Sequence, residues 1–112
     1  MGISERLDLT FMALADPTRR AILVRLAIGE ATVGELAEPF DLSQPAISKH
    51  LKVLERAGLV STSQAAQRRP RRLEGDPVKE AEAWIERLRQ VREANYARLD
   101  ALLVEMQSAP QK

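Results

Sequence analysis

Between Thr32 and Val60 the chain reads TVGELAEPFDLSQPAISKHLKVLERAGLV. This stretch predicts two short helices joined by a tight turn, then a glycine stop and a strand. Thr32 caps the first helix, and Glu35 three residues on completes a capping box. Leu36, Ala37 and Phe40 supply its apolar face at helical spacing. Pro39 and the pair Asp41-Leu42 are read as ending that helix and turning the chain. Ser43 is a good cap for the next helix. Pro45 is tolerated in the first turn, where amides lack an intrahelical acceptor. Ile47, Leu51, Leu54 and Ala57 follow at spacings of four, three and three and form one apolar stripe. The opposite face carries Gln44, Ser48, Lys49 and Lys52. Gly58 falls where a C-terminal glycine stop belongs. The pattern is a helix-turn-helix running into a wing, and a helix presented in that way fits the DNA major groove.

Outside this stretch the signals are plainer. Ile3 to Leu14 reads as a first helix, with Ser4 as its cap and Leu7, Phe11 and Leu14 on one face. Asp16-Pro17 is a strong helix start. The helix it opens runs to about Ala27, buries Ile22, Leu23 and Leu26, and ends at Gly29. Leu59 to Ser63 and Arg71 to Glu74 read as the strands of a hairpin with Gln64 to Pro70 at its tip, although arginine dominates the second strand. Gly75-Asp76-Pro77 is a turn with a second Asp-Pro start, and from Pro77 the chain stays helical to about Gln107. The expected organisation is mainly α with a small β-hairpin: one domain over 1–107, a helix-turn-helix over 32–58, a wing over 59–75, a long helix over 77–107 and a frayed tail over 108–112.

Composition narrows the function. The 112 residues suffice for one core. Aromatic residues are 4% of the chain, so an aliphatic core is expected. The net charge is only +1, but it is unevenly spread. Gln64 to Leu73 holds Arg68, Arg69, Arg71 and Arg72 and no acid, whereas acids outnumber bases in the last helix. With no cysteine, disulfides and thiolate metal sites are excluded. No signal peptide and no apolar membrane span is read from the sequence, and a cytoplasmic location is expected. One histidine and no cysteine leave no nucleophile and base pair, and no glycine-rich phosphate loop occurs. An enzyme is not expected, and no cofactor is implied.

The last helix repeats Ala81, Ile85, Leu88, Val91, Asn95, Leu99, Leu102 and Met106 every three or four residues. At about thirty residues it spans roughly 45 Å, more than a small domain needs. Two compatible readings follow. Its first half packs on its own domain, and its second half packs on a symmetry mate and on the first helix.

Leu14-Ala15-Asp16-Pro17-Thr18-Arg19-Arg20-Ala21-Ile22-Leu23, then Leu42-Ser43-Gln44-Pro45-Ala46-Ile47-Ser48-Lys49-His50-Leu51, then Leu54-Glu55-Arg56-Ala57-Gly58-Leu59-Val60 together resemble the ArsR family of bacterial winged-helix repressors. The resemblance covers about Phe11 to Leu103. The wing and the segment through Pro77-Val78-Lys79-Glu80-Ala81 and Trp84 look like a cysteine-poor subgroup. The resemblance implies a homodimer with five helices and a two-stranded wing, joined through the first and last helices. It also implies a partly palindromic operator in double-stranded DNA and release on some signal. Ser43, Gln44, Pro45, Ala46, Ser48 and Lys49 match the positions expected to face the groove. Leu7, Phe11, Leu88, Asn95, Leu99, Leu102, Leu103 and Met106 are the expected dimer contacts.

The chemistry of these residues agrees. Gln44 matches an adenine edge and Ala46 a thymine methyl. Ser48, Lys49, Lys52 and Thr32 suit phosphates. Arg68, Arg69, Arg71 and Arg72 suit the backbone or the neighbouring minor groove. Each has a plainer alternative. The arginines also read as a solvated charge run, and the lysines as ordinary exposed helix positions. His50 reads as a DNA contact, as a residue packed at a helix edge, or as a pH switch. Trp84 reads as an anchor on the core, or as the wall of a ligand pocket. The family's metal sites use cysteines near the reading helix, or histidines and carboxylates on the last helix. Here only carboxylates stand in those places, and they suit soft or borderline metals poorly, so no metal site is expected. The remaining alternatives are a winged helix that binds protein rather than DNA, and a metal-responsive repressor with a carboxylate site. A small-molecule effector between the first and last helices, or none at all, both fit the sequence.

Overall fold

The computed structural model describes residues 2–64 and 67–108. Among them the chain forms α1 (Ile3–Leu14), α2 (Pro17–Ile28), α3 (Val33–Ala37), a 3-10 turn (Glu38–Phe40), α4 (Gln44–Arg56), β1 (Val60–Thr62), β2 (Arg71–Leu73) and α5 (Gly75–Ser108). The chain divides into two compact units, Met1–Ala81 and Glu82–Lys112. No described helix is long and apolar enough to cross a membrane.

Local chemistry explains most boundaries in the first unit. Asp16 caps α2 by accepting from the Arg19 amide at 3.0 Å, with Pro17 in the first turn. Arg25 closes the other end, donating to the Gly29 carbonyl at 2.9 Å. The capping box of α3 is complete: the Glu35 amide donates to the Thr32 hydroxyl, and the Thr32 amide donates to the Glu35 carboxylate. As expected, α3 stops ahead of Pro39, whose missing amide cannot continue the helix. The helix ends at Ala37, and Pro39 sits in the 3-10 turn, where its ring fits an opening position. Asp41 then reverses the chain in the left-handed region, with φ 53°.

Ser43 caps α4 by accepting from the Ala46 amide at 3.2 Å. At the far end the Leu59 amide donates to the Leu54 carbonyl and the Gly58 amide to the Glu55 carbonyl, at 3.0 and 2.9 Å. This is a Schellman closure, and Gly58 supplies its left-handed residue with φ 76°.

Three expectations shift. Gly2, not Ser4, occupies the cap position of α1, and no side chain caps that helix. The inward face of α1 is Thr10 and Ala13, with Leu9 and Leu14 beside them. Of the expected face only Leu14 packs on the core, while Leu7 is half-buried and Phe11 is 37% exposed. Finally, α5 starts at Gly75, two residues before Pro77, because a proline is accommodated within a first turn. It ends at Ser108, so 109–112 of the expected tail lie outside the described residues, as do 65–66 of the hairpin tip.

The core is aliphatic. Ile22, Leu36, Ile47, Leu51, Leu54 and Leu59 are fully buried, bringing together α2, α3, α4 and the start of the wing. Each contributes about 1.5–3 kcal/mol of apolar burial. Ala81 and Val78 bring the first turns of α5 onto the same unit, where Glu80 accepts from Arg6 of α1 at 2.9 Å.

The second unit is the remainder of α5. Leu88, Val91, Leu99 and Leu102 lie at helical spacing and are each about half exposed, and Leu103 and Met106 are exposed as well. On the polar side Arg89 pairs with Glu86 and Glu93. Trp84, read as a core anchor or as the wall of a pocket, keeps 47% of its surface exposed and lines a hollow with Arg87, Leu88 and Val91.

Candidate nucleic-acid interface

The two sides of α4 differ sharply. Ile47, Leu51 and Leu54 are buried, which fixes the rotation of the helix about its axis. That rotation leaves Gln44, Pro45, Lys49 and Lys52 exposed and Ala46 and Ser48 half-buried. Arg56, exposed in the last turn, continues the line of Lys49 and Lys52 at spacings of three and four. The spacing that adds Arg56 to this line is visible in the sequence, although the charge pattern alone does not single it out. Gly34 of α3 lies close beneath the start of this face, so that a Cβ there would meet Gln44 Nε2 at 3.4 Å.

Two of the candidates are already occupied locally. The hydroxyls of Thr32 and Ser43 serve as helix caps. Glu35 is held below the usual carboxylate range, chiefly by the Thr32 amide and then by its hydroxyl. His50 turns toward α2. Its Nδ1 lies 3.5 Å from Arg19 Nη1 and 3.8 Å from the Asp16 carboxylate. Arg19 also donates to the Ala13 and Met12 carbonyls at 2.7 and 3.0 Å, so one guanidinium joins the end of α1, the start of α2 and the middle of α4.

The wing is a two-stranded antiparallel ribbon with Val60 opposite Leu73, Ser61 opposite Arg72 and Thr62 opposite Arg71. Its four arginines differ. Arg68 and Arg69 are exposed at the tip, and Arg69 adopts a left-handed turn with φ 51°. Arg72 is exposed on the face opposite Arg71 and Leu73 and pairs with Glu74 at 3.4 Å. The Ser61 hydroxyl and then Arg72 keep Glu74 below its usual pKa. Arg71 is turned inward. Its Nε donates to Glu55 of α4 at 3.2 Å, and its Nη1 donates to the Arg69 carbonyl. Its backbone exchanges hydrogen bonds with Ala31 just ahead of α3, at 2.7 and 3.1 Å. The sequence could not show these ties, because their partners lie 16 and 40 positions away from Arg71.

Among the described residues no group of three or more histidine, aspartate or glutamate side chains is placed to hold a metal ion.

Three kinds of comparison bear on this arrangement. A family model described as "Bacterial regulatory protein, arsR family" matches residues 16–62, which span α2, the helix-turn-helix and β1. The chain is 55% identical over 62 residues to the HTH-type transcriptional regulator Rv2034 of Mycobacterium tuberculosis, a match covering 55% of this chain and 58% of that protein. It is 46% identical over 57 residues to the transcriptional repressor SdpR of Bacillus subtilis, covering 51% and 63%. The chain thus spans less than two thirds of the length of these curated relatives. The solved structure of the ArsR family transcriptional regulator RHA00566 matches with a TM-score of 0.74 and 43% identity, over 80% of this chain and 93% of that one. With residues matched across nearly all of a solved relative, and the helix-turn-helix and wing in place, the chain belongs to the arsR family of bacterial regulatory proteins.

Proposed function

We propose that the protein is a transcriptional repressor that reads a specific sequence in double-stranded DNA. The observation that carries this reading is the exposed polar and basic face of α4, from Gln44 through Lys49 and Lys52 to Arg56, set opposite a fully buried apolar stripe. Gln44 and Ala46 read base edges. Ser48, Lys49, Lys52 and Arg56 hold phosphates and set register. Arg68, Arg69 and Arg72 of the wing contact the flanking backbone. The names of the relatives, a regulator and a repressor of transcription, support the same reading.

The protein acts as a homodimer on a partly palindromic site. The exposed apolar stripe of the second unit supports this, since a lone helix has no core of its own in which to bury Leu88, Leu99 and Leu102. Two reading helices in a dimer meet half-sites about one helical turn apart.

A binding titration of the purified protein against DNA from upstream of its own gene, at two salt concentrations, tests the reading. Tight binding that survives competitor DNA and weakens with salt is the expected result, with a slope in log K of about −0.9 per neutralised phosphate. Weak binding equal for all sequences would point instead to a winged helix that engages a protein.

A further inference from the structure

Glu55 lies on α4 but not on its exposed basic line. Its Oε1 accepts from the Thr62 hydroxyl of β1 at 3.1 Å and from Arg71 Nε of β2 at 3.2 Å. One carboxylate oxygen therefore holds both strands of the wing against the reading helix. Arg71 passes the tie outward by donating to the carbonyl of Arg69, the residue in the left-handed turn at the wing tip. The Arg71 side chain is only 18% exposed, and its backbone is bonded to Ala31. A guanidinium held on these sides is a strut, not a free phosphate ligand.

We propose that Glu55 is a positioning residue for DNA reading: through Arg71 it fixes where the wing tip stands relative to α4, and so lets Arg69 and the reading helix engage one duplex together. This rests on the DNA-reading function proposed above. It carries a consequence of unusual sign. Removing an acid beside a DNA-binding face strengthens binding by simple electrostatics. Removing a strut weakens it, because an untied wing must be ordered afresh at each binding event.

The test uses the full chain and a duplex selected by the wild-type protein from a random-sequence pool. Glu55→Ala, Glu55→Gln, Arg69→Ala and the double variant Glu55→Ala/Arg69→Ala are titrated against it, with thermal melting as a check on folding. Glu55→Ala is expected to bind roughly tenfold more weakly despite its added positive charge, and the double variant no more than about twofold more weakly than Arg69→Ala alone. Hydroxyl-radical protection over the flanks is expected to fade while protection under α4 persists. Glu55→Gln, which keeps an acceptor oxygen for Thr62 and Arg71, is expected to recover part of the loss, and it decides the matter if Glu55→Ala does not fold. Unchanged or tighter binding by the Glu55 variants, or losses that add in full to that of Arg69→Ala, would overturn the strut while leaving the DNA-reading function standing. Failure of the wild-type protein to select any duplex would overturn both.

Discussion

The Nδ1 of His50, in the middle of α4, stands 3.8 Å from the carboxylate of Asp16, the residue that caps α2. The contact joins the helix proposed to read DNA to the start of the helix beneath it. Asp16 is held below its ordinary pKa of 3.8, first by the Arg19 amide and further by the charges of His50 and Arg19. A carboxylate with a lowered folded pKa adds stability that is fully present above its unfolded pKa and is lost as pH falls through the folded value. Glu35 and Glu74, both lowered from 4.5, act in the same direction slightly higher on the scale. We therefore predict that the protein loses stability as pH falls below 4.5. Asp16→Asn should flatten part of that loss while changing neutral-pH stability little, since asparagine caps helices about as well as aspartate. Denaturant titrations from neutral to acid pH measure this, and an acid limb identical in both proteins would refute it.

A buried hydroxyl gives a prediction of the opposite kind. Thr10 on α1 is 1% exposed, and its Oγ1 makes no hydrogen bond. A buried polar group without a partner costs about 1–3 kcal/mol, and an isosteric apolar replacement removes that cost. Thr10→Val should raise stability by about 1 kcal/mol. A lowered midpoint in urea would show that the hydroxyl is satisfied in the folded protein.

Gly58 tests the end of α4. A Cβ there would meet Pro77 Cγ at 3.6 Å, an ordinary contact, so space is not the obstacle. The backbone is, because φ of 76° disfavours any residue with a side chain. Gly58→Ala should cost roughly 1–2 kcal/mol. Asparagine, which tolerates this region, should cost less. Equal losses for the two variants in thermal melts would mean that the Schellman turn relaxes to another closure.

The helix-turn-helix was legible because its instructions are local. Thr32 and Glu35, Ser43 and Ala46, and Glu55 and Gly58 each meet within one turn of helix. The buried stripe of α4 followed from spacing alone. A polar residue near a helix start reads as a cap, yet Gly2 and not Ser4 takes that position, because the helix already begins at Ile3. The wing was legible as a hairpin but not in its chemistry. Four arginines within five residues look alike on paper, and only the alternation of β2 and the long-range partners Glu55 and Ala31 separate Arg71 from Arg68, Arg69 and Arg72. His50 was ambiguous for the same reason, since its neighbours Asp16 and Arg19 belong to another helix.

Base reading and backbone holding should separate by mutation. Gln44 begins the exposed face of α4, and Arg69 stands at the wing tip. Gln44→Ala is predicted to cost about 1–3 kcal/mol at the preferred site and to relax base preference at one position. Arg69→Ala is predicted to weaken all sites more evenly and to flatten the salt slope by about one phosphate. Competition titrations with single-base variants of the site tell the two apart. A Gln44→Ala protein with unaltered base preference would move the reading contact elsewhere on α4.

Leu99 lies mid-way along the apolar stripe of α5 in the second unit and is 52% exposed. If two copies of this helix pack together, an aspartate at this position is buried without a counter-charge at their contact and opposes association. Leu99→Asp should therefore lower the solution mass from twice 12.5 kDa toward a single chain. DNA affinity should fall with it, because two half-sites are then no longer engaged as one event. Sedimentation equilibrium with and without the substitution decides the point. A wild-type protein that sediments as a single chain would remove the dimer from the proposed function, and a Leu99→Asp protein that stays dimeric would move the interface off this stripe.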